Sequence, residues 1–161
     1  MTRTNARELA AHLIFAMNYT GQAADETVDA RLSPEYYQTL AAESETYTDR
    51  PNKKQKEYIR KLVAGVGQEQ EALNQTIANY SVGWNIGRIS RLSKTFMQIA
   101  IYESLYVEDV PVGVAINEAV VLTKKYDGEA AKFVNGILGS FAAELKEKAE
   151  AQNGETDGAE Q

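Results

Sequence analysis

Residues 109–139 read DVPVGVAINEAVVLTKKYDGEAAKFVNGILG, and the spacing of their apolar positions decides the fold. Pro111 suits the first position of a helix, where its missing N–H would be unpaired in any case, and Val112, Ala115, Ile116, Ala119, Val120 and Thr123 then recur at steps of three and four. That predicts one buried helix. Asp127-Gly128 ends it, since glycine tolerates the left-handed conformation past a helix C-terminus, and Phe133, Ile137, Phe141 and Leu145 restart the same period. A second helix folded back on the first is expected. Asn117, Glu118 and Asn135 lie inside or beside these apolar runs, where an amide or carboxylate needs hydrogen-bonding partners. They read as supports of the fold, in a buried polar network completed by Arg88, Arg91 and Glu103.

Upstream, Ser93 is a plausible N-cap for a helix carrying Phe96, Met97, Ile99, Ala100, Ile101, Leu105 and Tyr106. The segment 82–90, VGWNIGRIS, has two glycines and no long period, so it reads as a hinge between two halves, with Trp84 as a core plug. Before it, Asn52 and Gln55 cap one long helix whose stripe is Tyr58, Ile59, Leu62, Val63, Val66, Leu73, Ile77 and Tyr80. Gly65 and Gly67 weaken that helix and suggest the close approach of another. Ser33-Pro34 opens a short helix, and a weak one covers Asp25 to Leu32. The first helix is capped by Thr4 or Asn5, packs through Ala6, Leu9, Leu13, Ala16 and Met17, and stops at Gly21. No segment alternates with period two. The fold class is therefore all-α, a bundle of about six or seven helices in two subdomains, 1–80 and 81–150, followed by a disordered acidic tail, 151–161.

The 161 residues carry 43% apolar residues, no Cys and one His, which leaves no thiolate or multi-histidine metal site and no Cys nucleophile. Neither an enzyme nor a cofactor is expected. No window reaches the roughly 18 apolar residues that a membrane span requires, and a cytoplasmic protein is expected. The net charge of −6 argues against a generic polyanion binder. Yet Arg50, Lys53, Lys54, Lys56, Arg60 and Lys61 form a basic run, and Arg88, Arg91 and Lys94 a smaller one; each reads either as a solvated helix face or as a binding patch. Arg3 and Arg7 oppose the dipole at the start of the first helix, which an anion there would relieve. His12 reads as a boundary histidine, with a pH switch or a base-stacking partner as alternatives.

The run IAIYESLYVEDVPVGVAINEAVVLTKKYDGEAAKFVNGIL closely resembles the C-terminal signature of the NusB family of transcription antitermination factors, with its YE, DVP, INEA and FVNG elements in order. ARELA from Ala6 to Ala10 resembles the family's first helix. The resemblance implies an RNA-binding protein that recognises boxA RNA of ribosomal RNA leader transcripts. It would do so together with the NusE-type small-subunit ribosomal protein, within a transcription elongation complex. Carried over residue by residue, it places RNA contacts at Arg3 and Arg7 and at Lys132 and Phe133. Phe133 would stack on an unpaired base or serve as a core residue of the last helix. The resemblance also allows a homodimer that covers the RNA face in the idle protein.

The chain departs from the family pattern at Thr4 and Asn5, where basic residues are common, and at Gln98, where arginine is common. Fewer phosphate contacts flatten the salt dependence, so partner-assisted binding is expected. The family's helical domain also precedes ribosomal RNA cytosine methyltransferases, but this chain has no cofactor-binding sheet and no Cys. A protein-binding helical adaptor with little RNA contact is the alternative function.

Overall fold

The computed structural model describes residues 1–84, 87 and 89–159, with side chains described to residue 154. Arg88, expected in the polar network, lies outside the described residues. Among the described residues there are eight α-helices and no strand: α1 (Arg3–Thr20), α2 (Ala24–Arg31), α3 (Pro34–Leu40), α4 (Lys53–Gln68), α5 (Gln70–Tyr80), α6 (Arg91–Tyr106), α7 (Val112–Tyr126) and α8 (Ala131–Ala159). Short 3-10 turns lie at Glu45–Tyr47 and Gly128–Ala130.

Local chemistry explains several helix ends. Asn52 and Gln55 form the expected capping box on α4, and Ser33 with Pro34 starts α3. Gly21 closes α1 at φ 74°, a conformation in which a Cβ would be strained. Other caps shift by a few residues. Thr2, not Thr4 or Asn5, caps α1, and Ser90, not Ser93, caps α6. Pro111 is the cap of α7 rather than its first helical residue. Gly128 does not take a positive φ; it opens the 3-10 turn that leads into α8.

The expected helix count was low by the break between α4 and α5 at Glu69 (φ −97°, ψ 12°), inside one continuous sequence stripe. Both pieces keep the apolar period, with Ile59, Leu62, Val63 and Val66 on one side of the break and Leu73 and Ile77 on the other, all buried. Periodicity therefore gives no sign of the kink. The close approach expected at the glycines is present: a Cβ at Gly65 would sit 2.2 Å from Cζ of Tyr102 on α6, and one at Gly67 would meet Met17 of α1.

The apolar stripes merge into one core. α1 is central: it packs against α2, α4, α6 and α7, while α6 meets α5, α7 and α8 as well. α8 faces the core with Val134, Ile137, Leu138 and Phe141, a phase one residue off the expected start at Phe133. Helix α8 runs on to Ala159, and residues 151–154 are exposed. Alanine, glutamate and lysine between residues 142 and 151 favour propagation of a helix already nucleated by packing.

Candidate nucleic-acid interface

Arg3 and Arg7 stand one turn apart on α1, yet their environments are opposite. Arg3 is half-exposed, with its guanidinium 4.4 Å above the Tyr58 ring and NH1 3.6 Å from Asp109. Arg7 is 4% exposed. Its Nε donates to Glu103 Oε1 at 2.6 Å and NH2 to Glu103 Oε2 at 3.2 Å, while NH1 lies 3.6 Å from Glu118. Burial alone would lower the Arg7 pKa, but hydrogen bonding and charge from Glu103 raise it above its ordinary value. In this geometry the guanidinium is held by carboxylates and shows little surface to a phosphate, unlike that of Arg3. The helix start itself stays receptive, because neither α1 nor α4 has an acid in its first turn.

A polar network does form, with a different membership from that expected. Glu103 is fully buried and holds Arg7 together with the Tyr58 hydroxyl at 2.8 Å; Glu118, half-buried, accepts from Thr4 Oγ1 at 2.6 Å. Asn117 and Asn135 take no part: both are exposed. On α7 the buried positions are Ala115, Ala119, Leu122 and Thr123, a phase that turns Asn117 outward, and on α8 the Val134–Ile137–Leu138 face turns Asn135 outward. Arg91 is exposed as well. Tyr58 and Thr4 were absent from the sequence expectation, since each is far in sequence from the carboxylate that it meets. Gln98, where arginine is common in the family, is buried and donates to Asn74 Oδ1 at 2.7 Å.

The second expected cluster lies where the Gly128–Ala130 turn feeds α8. Lys132 is exposed, and its Nζ lies 5.8 Å from the centre of the Phe133 ring. Phe133 is half-buried and meets Trp84 edge-on, ring centres 4.8 Å apart at 79°. Trp84 in turn covers Gly136, where a Cβ would come within 3.0 Å of its ring. Phe133 is thus neither a core residue nor a free one; its ring is steadied by Trp84 and keeps some access to solvent. Arg3 and Phe133 are not neighbours. Asp109, the Arg3 partner, precedes α7 and Phe133 follows it, so the length of a 15-residue helix, about 22 Å, separates the two clusters.

A second network, which the sequence did not suggest, joins α1 to the end of α7 and to the Glu45–Tyr47 turn. Glu8, 1% exposed, accepts from Lys125 Nζ at 2.8 Å and from the Tyr126 hydroxyl. His12 Nε2 lies 2.8 Å from Tyr126 Oη and Nδ1 2.6 Å from Tyr47 Oη. Tyr126 directs its hydrogen to Glu8, so its oxygen accepts from His12 Nε2–H, and Nδ1 accepts from Tyr47. Neutral His12 is fully satisfied by this order, and burial lowers its pKa. Burial acts to raise the Glu8 pKa, but hydrogen bonds from Lys125, Tyr126 and Thr46 bring it below the ordinary value.

A sequence model described as the NusB family matches residues 4–143. The chain belongs to the NusB family. Among NusB proteins, the transcription antitermination protein NusB of Symbiobacterium thermophilum is 36% identical over 147 residues, covering 91% of this chain and 92% of that protein. The NusB of Bacillus subtilis is 30% identical over 148 residues, 91% of this chain and 99% of its own. Transcription antitermination, not enzymatic catalysis, is the business of this family. Among solved structures, T. maritima NusB superposes with a TM-score of 0.61 at 29% identity, covering 89% of this chain and 93% of that one. A crystal structure of antitermination factors NusB and NusE in complex with dsRNA has a TM-score of 0.63 at 23% identity, covering 86% and 93%, and shares the fold. No helix among the described residues is long and apolar enough to cross a membrane.

Proposed function

We propose that this chain is a cytoplasmic antitermination factor that binds boxA RNA of ribosomal RNA leader transcripts jointly with a NusE-type small-subunit ribosomal protein, within a transcription elongation complex. The observation that carries the reading is the family match over residues 4–143. Two surface features are chemically suited to it. Lys132 supplies a solvated cation beside the Phe133 ring, a pair able to hold a phosphate and stack a base. Arg3 supplies a second cation at a helix start without acids. With Arg7 engaged by carboxylates and a net charge of −6, few phosphate contacts remain, which favours RNA binding assisted by the protein partner.

The test is a titration of labelled boxA RNA with and without the NusE-type protein at two salt concentrations. RNA binding that is weak alone, tighter with the partner and shallow in its salt dependence is expected. The same acidic balance favours one other reading, an adaptor that binds only protein. Binding of the partner with no RNA affinity in either condition would establish that adaptor instead.

A further inference from the structure

The basic run on α4 divides in the folded protein. Arg60 is engaged by Asp25 and Asp29, at 2.8 and 2.7 Å, and ties α4 to α2. Lys53, Lys54, Lys56 and Lys61 are exposed, and among the described residues none of them forms an ion pair. Lys54 is distinguished from the others by its position. It lines a cavity of about 280 Å³ between the starts of α1 and α4, together with Arg3, Ala6, Gln55 and Tyr58.

The walls of this cavity are held in place from behind. The Tyr58 hydroxyl is anchored on buried Glu103, and the Arg3 guanidinium lies over the Tyr58 ring. Gln55 accepts from the Asn52 N–H and donates to the Met1 carbonyl, so its amide cannot swing into the space. Lys54 and the planar Arg3 guanidinium, backed by the Tyr58 ring, line this volume at the starts of two helices that have no acid in their first turns, and it is sufficient for one nucleobase. Unpaired bases stack on arginine planes as they do on aromatic rings, and lysine meets phosphate as a point charge. A duplex cannot enter a space of this size.

We infer that this cavity receives one unpaired nucleotide of the bound RNA, its base on the Arg3 face backed by Tyr58 and its phosphate at Lys54. The inference rests on the RNA-binding function proposed above and extends it from α1 and α8 onto α4. It also gives the Arg3–Asp109 contact a role: the carboxylate holds the guanidinium in the stacking position in the free protein.

The experiment pairs affinity with cross-linking, using single-stranded boxA RNA in which each uridine in turn is replaced by 4-thiouridine, in the presence of the NusE-type protein. Lys54→Ala should weaken binding about three- to tenfold at low salt and lower the slope of log affinity against log salt by about one. Lys61→Ala, two turns further along α4, should change affinity less than twofold. One thiouridine position should cross-link to the peptide containing Tyr58, and Lys54→Ala should diminish that product selectively. If Lys54→Ala keeps parental affinity and slope and no position cross-links there, while Phe133→Leu loses RNA, the strand bypasses the cavity and the inference fails with the RNA function intact. If the parent binds no RNA under any condition, both fail. Protection of Lys54 from acetylation by poly-glutamate but not by RNA would assign the cavity to an acidic protein segment and overturn the inference too.

Discussion

Arg7 of α1 and Glu103 of α6 form a two-point ion pair across 96 positions of sequence, with both side chains shielded from solvent. Tyr58 of α4 and Glu118 of α7 complete the shell, so four helices meet on one buried charge pair. Removing one partner leaves the other charged and unpaired in a poorly solvated place. Arg7→Ala should therefore cost about 3–5 kcal/mol of stability, read by urea denaturation. For the fraction that stays folded, the salt slope of RNA binding should match the parent. A stable Arg7→Ala protein with a slope lowered by about one would return Arg7 to the phosphate contacts.

Asn117 and Asn135 should behave as surface residues. Each is exposed, so Asn117→Ala and Asn135→Ala should leave stability within about 0.5 kcal/mol of the parent in chemical denaturation. A loss of 2 kcal/mol or so in either would place that amide in a buried network.

Acid should loosen the protein through His12 before it does so through Glu8. Burial lowers the His12 pKa from its ordinary 6.5, and the hydrogen bonds on Glu8 lower its own from 4.5. In both cases the unfolded chain binds the proton more tightly than the native one, so stability is full above the unfolded pKa and falls as pH drops. The groups facing His12 are Glu8, whose charge favours its protonation, and Lys125 and Arg31, which oppose it. The melting temperature should decline between about pH 7.5 and 5.5, and a second decline should follow below about 4.5. In His12→Gln the first decline should vanish, whatever the absolute stability of the variant. A parent melting temperature that rises on acidification toward pH 5.5 would contradict the assignment of a neutral His12.

Gly65 should tolerate no side chain. A Cβ there would overlap the Tyr102 ring, which packs at a 39° tilt against Tyr106 with ring centres 5.1 Å apart. Gly65→Ala gains helix propensity worth about 1 kcal/mol, but the overlap forces the Tyr102 ring out of its place against α4, and a net loss of about 1–3 kcal/mol is expected. Pairing it with Tyr102→Leu should recover part of the loss, which a double-mutant cycle measures.

Phe133→Leu should separate stacking from packing. Leucine keeps most of the apolar volume but gives up the edge-on contact with Trp84, worth about 0.5–1.5 kcal/mol. RNA affinity should fall by about 1–3 kcal/mol with the salt slope unchanged, because the ring carries no charge. Parental affinity in this variant, with the NusE-type protein present, would remove Phe133 from the RNA contacts.

The sequence by itself determined that the protein is helical and where most helices run, because hydrophobic period and capping chemistry act over one or two turns. The Asn52–Gln55 box, the Ser33-Pro34 start, the Gly21 stop and the α7–α8 hairpin were all legible on that scale. It also carried the family, through motifs spread over nearly the whole chain. Tertiary structure alone decided which side of each helix its polar residues occupy and which of them meet. Arg3 and Arg7 are four residues apart in similar local sequence, yet one stays at the surface and the other joins a carboxylate on α6. Asn117 lies one residue from Glu118, and that single step of about 100° puts the amide in solvent and the carboxylate beside Arg7. The cost of burying a charge without its partner is set by groups distant in sequence, so only the packed bundle could tell an arginine that holds the fold from one left open to a phosphate.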